Sequence, residues 1–274
     1  MSHGYAVTNA LSGLAATAFT WSSAFTTSRD RLNDGVMDLL ASSAAAAQAS
    51  GQTLVIDMGS ATALAGLALL NHNLASGACT VRVRGADDAA FTVNVVIAKA
   101  ASTVTTAEPN HKDTVLQFPS VSKRYWELAF VHAGTKIVTV GELLALASIT
   151  TLNRTTIYGS GDTERYVLNR NDSETGNLRS TFLAGPLRSR TLPFKDLSTS
   201  ERDELFVMFR ATKGGNANLL WVEFLESTTT AATASAQECI WGKIAPKLSW
   251  TQDDFRLFTP GGLEITGLGR EVGS

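Results

Sequence analysis

Few side chains able to do chemistry stand at spacings that would let them act together. His72, in Leu70-Asn-His-Asn73, follows an apolar run and is the histidine that a fold could bring toward Asp57. Such a pair would serve acid–base chemistry or begin a metal site, although a polar turn capping a strand is the commoner use of a histidine so placed. Asp30, Asn33 and Asp34, in Arg29-Asp-Arg-Leu-Asn-Asp-Gly35, supply oxygens of the kind Ca²⁺ takes. They lack the twelve-residue EF-hand pattern, and an ordinary Asx-turn explains them better. His3 lies near the start of the chain, and His111 and His132 lie in or beside turns. Gly267, Gly269 and Gly273 approach GxGxxG but are spaced one residue too long, with no helix to follow. GxSxG, HExxH and the phosphate-cradling P-loop are all missing. The expectation is a protein that is not an enzyme, with no catalytic, metal or cofactor residues and with its ligand-binding residues unassigned.

Composition bounds the class of protein and says nothing about chemistry. The 274 residues are 44% hydrophobic and 18% charged, enough for a sizeable core and too little charge for a disordered chain. At roughly 150 residues per domain the length suggests two domains. The formal net charge is -2, and nine of the 23 basic and ten of the 25 acidic residues precede residue 149. Neither part therefore carries a field that would draw in nucleic acid or an anionic membrane. Cys79 and Cys239 form no disulfide framework and no zinc-like cluster. The start, MSHGYAVTNA, lacks a signal peptide's basic and apolar regions, and Leu54 to Leu70 is interrupted by Asp57 and two glycines. These features lead us to expect synthesis in a reducing cytoplasm, no membrane insertion and no specific nucleic-acid binding.

Most of the chain has the period of strands. Thr53 to Asp57 is a compact apolar run, and Cys79 to Arg84 alternates Val81 and Val83 against Arg82 and Arg84. Phe91 to Val95 and Tyr125 to Val131 repeat that alternation, with turns expected at Gly85 to Asp88, Glu108 to Asn110 and Ala133-Gly134. Lys123-Arg-Tyr-Trp126 is read as a strand start. Ala41 to Ser50 is expected as a loop or weak helical turn, and Thr228 to Ala236 as a long hairpin tip. Further strands are expected at Arg188 to Phe194, Leu219 to Leu225, Cys239 to Ile244, Lys247 to Phe258 and Gly262 to Leu268. One segment reads as helix, about 199–212, with Ser198 and Glu201 at capping-box spacing, Leu205 and Phe209 on one face and Gly214 to stop it. A domain boundary is placed near Ala147-Ser-Ile149, giving domains 1–148 and 149–274. Trp126, Trp221, Trp241 and Trp250 fall in strands, where packing is their usual work, whereas Trp21 and Phe25 sit in a Ser/Thr-rich segment that could expose them.

Two resemblances follow from these motifs. Asn33-Asp-Gly35, Thr53 to Ala61, Leu67 to Asn73, Lys123 to Leu128 and Val140 to Leu143 together resemble the discoidin or galactose-binding-like jelly roll, over about residues 20 to 147. Arg188 to Phe194, Leu197 to Thr212 and the glycine pair before an apolar strand resemble tail-tube and distal-tail domains of long-tailed bacteriophages, over roughly 150 to 274. The fold implied is mainly β: a jelly-roll sandwich followed by a tail-tube-like sandwich or barrel with one flanking helix. The function implied is that of a virion structural protein, a homo-oligomeric ring at the distal tail or baseplate that joins the tail tube to tail-tip proteins. The alternative is a carbohydrate-binding module for host-surface recognition. It would add a host cell-surface glycan as partner and would use exposed aromatics near Trp21 and Phe25.

Overall fold

A computed structural model describes residues 2–23, 27–34, 39–44, 51–74, 79–104, 113–132, 137–152, 161–172, 178–225, 237–254, 257–261 and 263–267. The strands are β1 (Ser2–Ala6), β2 (Phe19–Trp21), β3 (Ala41–Ser42), β4 (Gln52–Leu70), β5 (Thr80–Ala86), β6 (Val96–Thr103), β7 (Thr114–Val131), β8 (Thr139–Val140), β9 (Glu142–Leu146) and β10 (Thr150–Leu152). They continue with β11 (Gly161–Asp172), β12 (Leu178–Leu192), β13 (Leu219–Leu225), β14 (Gln237–Ile244), β15 (Trp250–Asp254), β16 (Leu257–Pro260) and β17 (Leu263–Gly267). Helix α1 (Thr199–Ala211) is the α-helix among the described residues. The expected mainly β chain with one helix is what the structure has. It divides into two compact units, Met1–Thr151 with Trp221–Cys239, and Leu152–Leu220 with Ile240–Ser274.

The first unit is built on one long antiparallel ribbon, β4 against β7, that folds back on itself. Two irregularities in its register make the bend. Met58 to Ala61 of β4 stand opposite the single residue Arg124, and Phe118 to Ser120 of β7 stand opposite the single residue Ala65. Extra residues on one strand of a pair bend it and increase its twist. Gly59 takes φ +75 at the first bend, a conformation that costs glycine nothing. The degree of folding shows in Phe118 and Trp126 of β7. An extended strand would hold them about 26 Å apart, yet their rings stack with centroids 5.6 Å apart.

The two halves of the ribbon seed the two faces around the core. One half extends as β2–β4–β7–β5–β6, and the other adds β9 to β4. Alternation then sorts the side chains. Phe19, Trp21, Leu54, Ile56, Val81, Val83, Trp126, Leu128 and Phe130 point into the core from the first face. Leu64, Leu67, Leu69, Leu116, Phe118, Leu143 and Ala145 meet them from the second.

Several local expectations are corrected. Phe91 to Val95 is a loop, because the Asp88 carboxylate accepts the N–H groups of Thr92 and Val93, at 2.9 and 2.7 Å, that a ladder would need. Phe91 and Asn94 also take positive φ, 55° and 49°. Lys123 to Trp126 lies in the middle of β7, at the bend, rather than at a strand start. Ala41–Ser42 pairs with β8, while 45–50, 228–236, Glu108 to Asn110 and Ala133-Gly134 lie outside the described residues. Lys247 to Phe258 is two strands, β15 and β16, paired as a hairpin.

In the second unit β11 pairs along its length with β12, from Gly161↔Thr191 to Asp172↔Leu178, and β17 pairs with both β12 and β14. Helix α1 carries the expected capping box. The Ser198 hydroxyl accepts the Glu201 N–H, and the Glu201 carboxylate accepts the Ser198 N–H at 2.8 Å. Leu205 and Met208 are its buried residues. Gly214, at φ +65, ends it as expected, its N–H donating to the Phe209 carbonyl.

Candidate functional site

The first bend of the ribbon gathers a group of polar side chains on the outer face of the first unit. With Met58 to Ala61 looped out, the Arg124 guanidinium can turn onto Asp57. Its Nε and Nη2 donate to the two carboxylate oxygens at 2.9 and 3.0 Å. The Gly59 N–H donates to the same carboxylate at 2.8 Å, as the Asx-turn that closes the bend requires. The guanidinium also lies over the Tyr125 ring, 4.8 Å from its centroid. Across β7 from Asp57, the Lys123 Nζ donates to Asp87 at 3.0 Å, and the Asn94 amide donates to the other Asp87 oxygen at 2.8 Å. Gly85 allows this arrangement, because a Cβ there would meet the Lys123 Cγ at 2.8 Å.

One row further along the outer face, Val55, Glu127 and Arg84 stand side by side on β4, β7 and β5. Arg84 grips Glu127 with two hydrogen bonds of 2.7 Å, and Arg82 approaches it at 3.6 Å. The Phe91 ring lies 4.7 Å under the Arg84 guanidinium, so the loop after β5 closes over the pair. The Glu127 side chain is left only 6% exposed.

Charges in this patch balance. Asp57, Asp87, Asp88 and Glu127 face Arg82, Arg84, Lys123 and Arg124. The carboxylates of Asp57, Asp87 and Asp88 are held below the ordinary carboxylate value. Hydrogen bonding to Arg124 is the main cause for Asp57, to the Asn94 and Lys123 side chains for Asp87, and to the Val93 N–H for Asp88. They are fixed anionic acceptors rather than proton donors, since a general acid needs its value raised.

The residues singled out from the sequence are not brought together. His72 lies beyond the far end of β4 from Asp57. It is buried, its Nδ1 accepts the Leu74 N–H at 3.1 Å, and its Nε2 meets the Thr114 hydroxyl at 2.9 Å, which is the strand-capping role. Asp57 is committed to Arg124 instead. Asn33 donates both of its amide hydrogen bonds, 3.1 Å each, to the carbonyls of Leu11 and Leu14, and Asp30 accepts from the Ser28 hydroxyl. Among the described residues no group of three His, Cys, Asp or Glu could hold a metal ion. His3 stacks on Trp221 at 5.2 Å, and His111 lies outside the described residues. Trp21 is buried in the core beside Phe130, so it offers no face to a ligand, and Phe25 lies outside the described residues. Both cysteines are buried, and both belong to the first unit.

Reading the sequence strand by strand missed Arg124, Lys123 and Asp87 as a site. The signal that could have found them is the Asp57-Met-Gly59 turn opposite a basic pair just before Tyr125.

No protein-family model matches the chain, and no curated protein matches it. Among solved structures, its N-terminal half is similar to small β modules. One is a pectin-binding carbohydrate-binding module, 13% identical, covering 47% of this chain and 88% of that one with a TM-score of 0.37. A second is chitosan-binding module 1 of a chitosanase/glucanase from Paenibacillus sp. IK-5, 17% identical over 50% of this chain and 98% of that one, TM-score 0.38. A third is the lectin domain of lectinolysin complexed with Lewis b antigen, 14% identical over 52% and 99%, TM-score 0.39.

Proposed function

We propose that the first unit is a non-catalytic module that binds a carbohydrate at the bend of the β4–β7 ribbon. The observation that carries this reading is the balanced set of fixed acceptors and donors flanking Tyr125. Asp57, Arg124 and Asp87 keep between a third and a half of their side chains exposed while being held in place by their partners. Sugar hydroxyls both donate and accept, and such groups bind them without the reorganisation that a mobile side chain would cost. Because the patch has no net charge, it favours a neutral polyhydroxylated ligand over an anion. Labelled protein on a glycan array should give hits, and titration of a hit against Arg124→Ala and Asp87→Ala should show affinity lower by about tenfold or more, the loss of one charge-assisted hydrogen bond. An array without hits, or hits indifferent to both substitutions, would remove the reading.

A second reading is favoured by the exposed aliphatic residues around β6. In it the chain is a virion structural subunit of a bacteriophage tail, one copy of a ring at the distal tail or baseplate, with its sugar-binding face turned outward to the host. Reconstruction of the assembled particle tests it, and a tail lacking the chain overturns it.

A further inference from the structure

The loop between β5 and β6, residues 87–95, holds two residues in the left-handed region, Phe91 at φ 55° and Asn94 at φ 49°. A phenylalanine there is strained, and such strain persists only where the surroundings over-determine it, as they do at ligand clamps. One side chain supplies most of that determination. The Asp88 carboxylate accepts the Thr92 N–H at 2.9 and 3.2 Å, the Thr92 hydroxyl at 2.8 Å and the Val93 N–H at 2.7 Å. The chain is thereby brought round so that the Val93 carbonyl accepts the Asp87 N–H at 3.2 Å. The Phe91 ring is buried under Arg84, and the Asn94 amide reaches Asp87.

The two neighbouring carboxylates therefore take different roles. An ionised carboxylate has about four acceptor sites. Asp88 fills its sites from within the loop and has nothing left to offer a ligand. Asp87 accepts one hydrogen bond on each oxygen, from Lys123 and from Asn94, and its side chain is 41% exposed. We propose that Asp88 is the positioning residue of the binding patch: without touching the ligand, it fixes the loop that sets Asp87 and Asn94 beside Lys123. The effect on affinity rests on the glycan reading; the effect on the loop does not. With Asp88 truncated the loop samples other conformations, and affinity falls in proportion to the fraction of molecules still holding the binding one.

The test compares Asp88→Ala with Asp88→Asn in the full chain. Both remove the charge, but the asparagine amide keeps an oxygen for the Thr92 and Val93 N–H groups and can donate to the Thr92 hydroxyl. Two readouts need no ligand: hydrogen exchange at Thr92 and Val93, and pH titration of the Asp87 carboxyl carbon by NMR. In the wild type those amides should be protected, with Asp87 titrating below its ordinary 3.8, held there by Asn94 and Lys123. Asp88→Ala should speed the exchange by at least about tenfold and let the Asp87 value rise. The Asp88 charge itself raises that value, so its removal alone would lower it, and a rise reports lost placement. Asp88→Asn should keep the amides protected and the Asp87 value low. Affinity for a glycan hit should fall by about tenfold in the alanine variant, as when a tenth of the molecules stay competent, and by less than about threefold in the asparagine variant. An alanine variant with protected amides and a low Asp87 value overturns the proposal. So does one that frees the loop yet binds the hit as the wild type does, and so does an asparagine variant that behaves like the alanine one. An array without hits removes the glycan reading, while exchange and titration still decide whether Asp88 positions Asp87.

Discussion

Replacing Glu127 by glutamine tests whether the outer-face ion pair holds the first unit together. The carboxylate is 6% exposed and takes two 2.7 Å hydrogen bonds from Arg84, whose side chain is 29% exposed. Arg82, at 3.6 Å and 41% exposed, contributes close to nothing, as surface pairs do. Hydrogen bonds to a charged partner contribute about 1.5–3 kcal/mol each when buried. Solvent around Arg84 reduces that, so Glu127→Gln should cost about 2 kcal/mol, and Glu127→Ala somewhat more because it leaves Arg84 with no hydrogen-bond acceptor there. Urea is the denaturant to use, since guanidinium would screen the pair. Trp21 and Trp126 are both buried in the first unit and report its unfolding by fluorescence. With a slope of about 2 kcal/mol per molar, the midpoint should fall by about 1 M with the slope unchanged. A cycle with Arg84→Met should return a coupling of about 1–2 kcal/mol, because removing both partners leaves no unpaired charge. A Glu127→Gln midpoint within about 0.2 M of wild type would refute the reasoning and make the pair an ordinary solvated one.

Other changes have equally definite outcomes. Asp57 has a folded value below its ordinary 3.8, so the stability it contributes is present above that pH and is lost as pH falls through the lower folded value; thermal melts of Asp57→Asn should show a shallower acid-side decline than wild type. Gly85→Ala should drive the Lys123 stem off its seat and cost about 1 kcal/mol in urea melts, with weaker binding to any glycan hit. Ser198→Ala removes the α1 cap and should cost about 1 kcal/mol in the second unit, read by far-ultraviolet circular dichroism during unfolding.

Elements set by local patterns were legible in the sequence. Alternation of Val81 with Arg82 and of Trp126 with Glu127 placed β5 and the end of β7, and Ser198 with Glu201 placed α1 to within a residue. Features set by pairing were not legible. Phe91 to Val95 alternates like a strand, but whether its N–H groups go to a neighbour or to Asp88 depends on a side chain outside the window. Trp21 looked exposed because its neighbours are serine and threonine, yet its register against Leu54 turns it inward. The full length of β4 was hidden for the same reason: Asp57 and Gly59 resemble a strand end until Tyr125 and Arg124 of β7 stand opposite them.

The bend therefore has two roles that cannot be separated by position. Met58 to Ala61 must loop out for the ribbon to fold over Phe118 and Trp126, and that same looping frees Arg124 to take Asp57 on the outer face. A substitution at the site is consequently also a substitution at the fold's hinge, and lost binding alone would not distinguish a ligand contact from a loosened bend. Asp87 and Asn94 break the tie. They belong to the loop after β5 rather than to the ribbon, and they touch it through Lys123. If the patch binds glycan directly, Asp87→Ala should lower affinity while leaving the urea midpoint of the first unit nearly unmoved. If binding only reports the bend, Arg124→Ala should lower affinity and stability together, with Asp87→Ala changing neither.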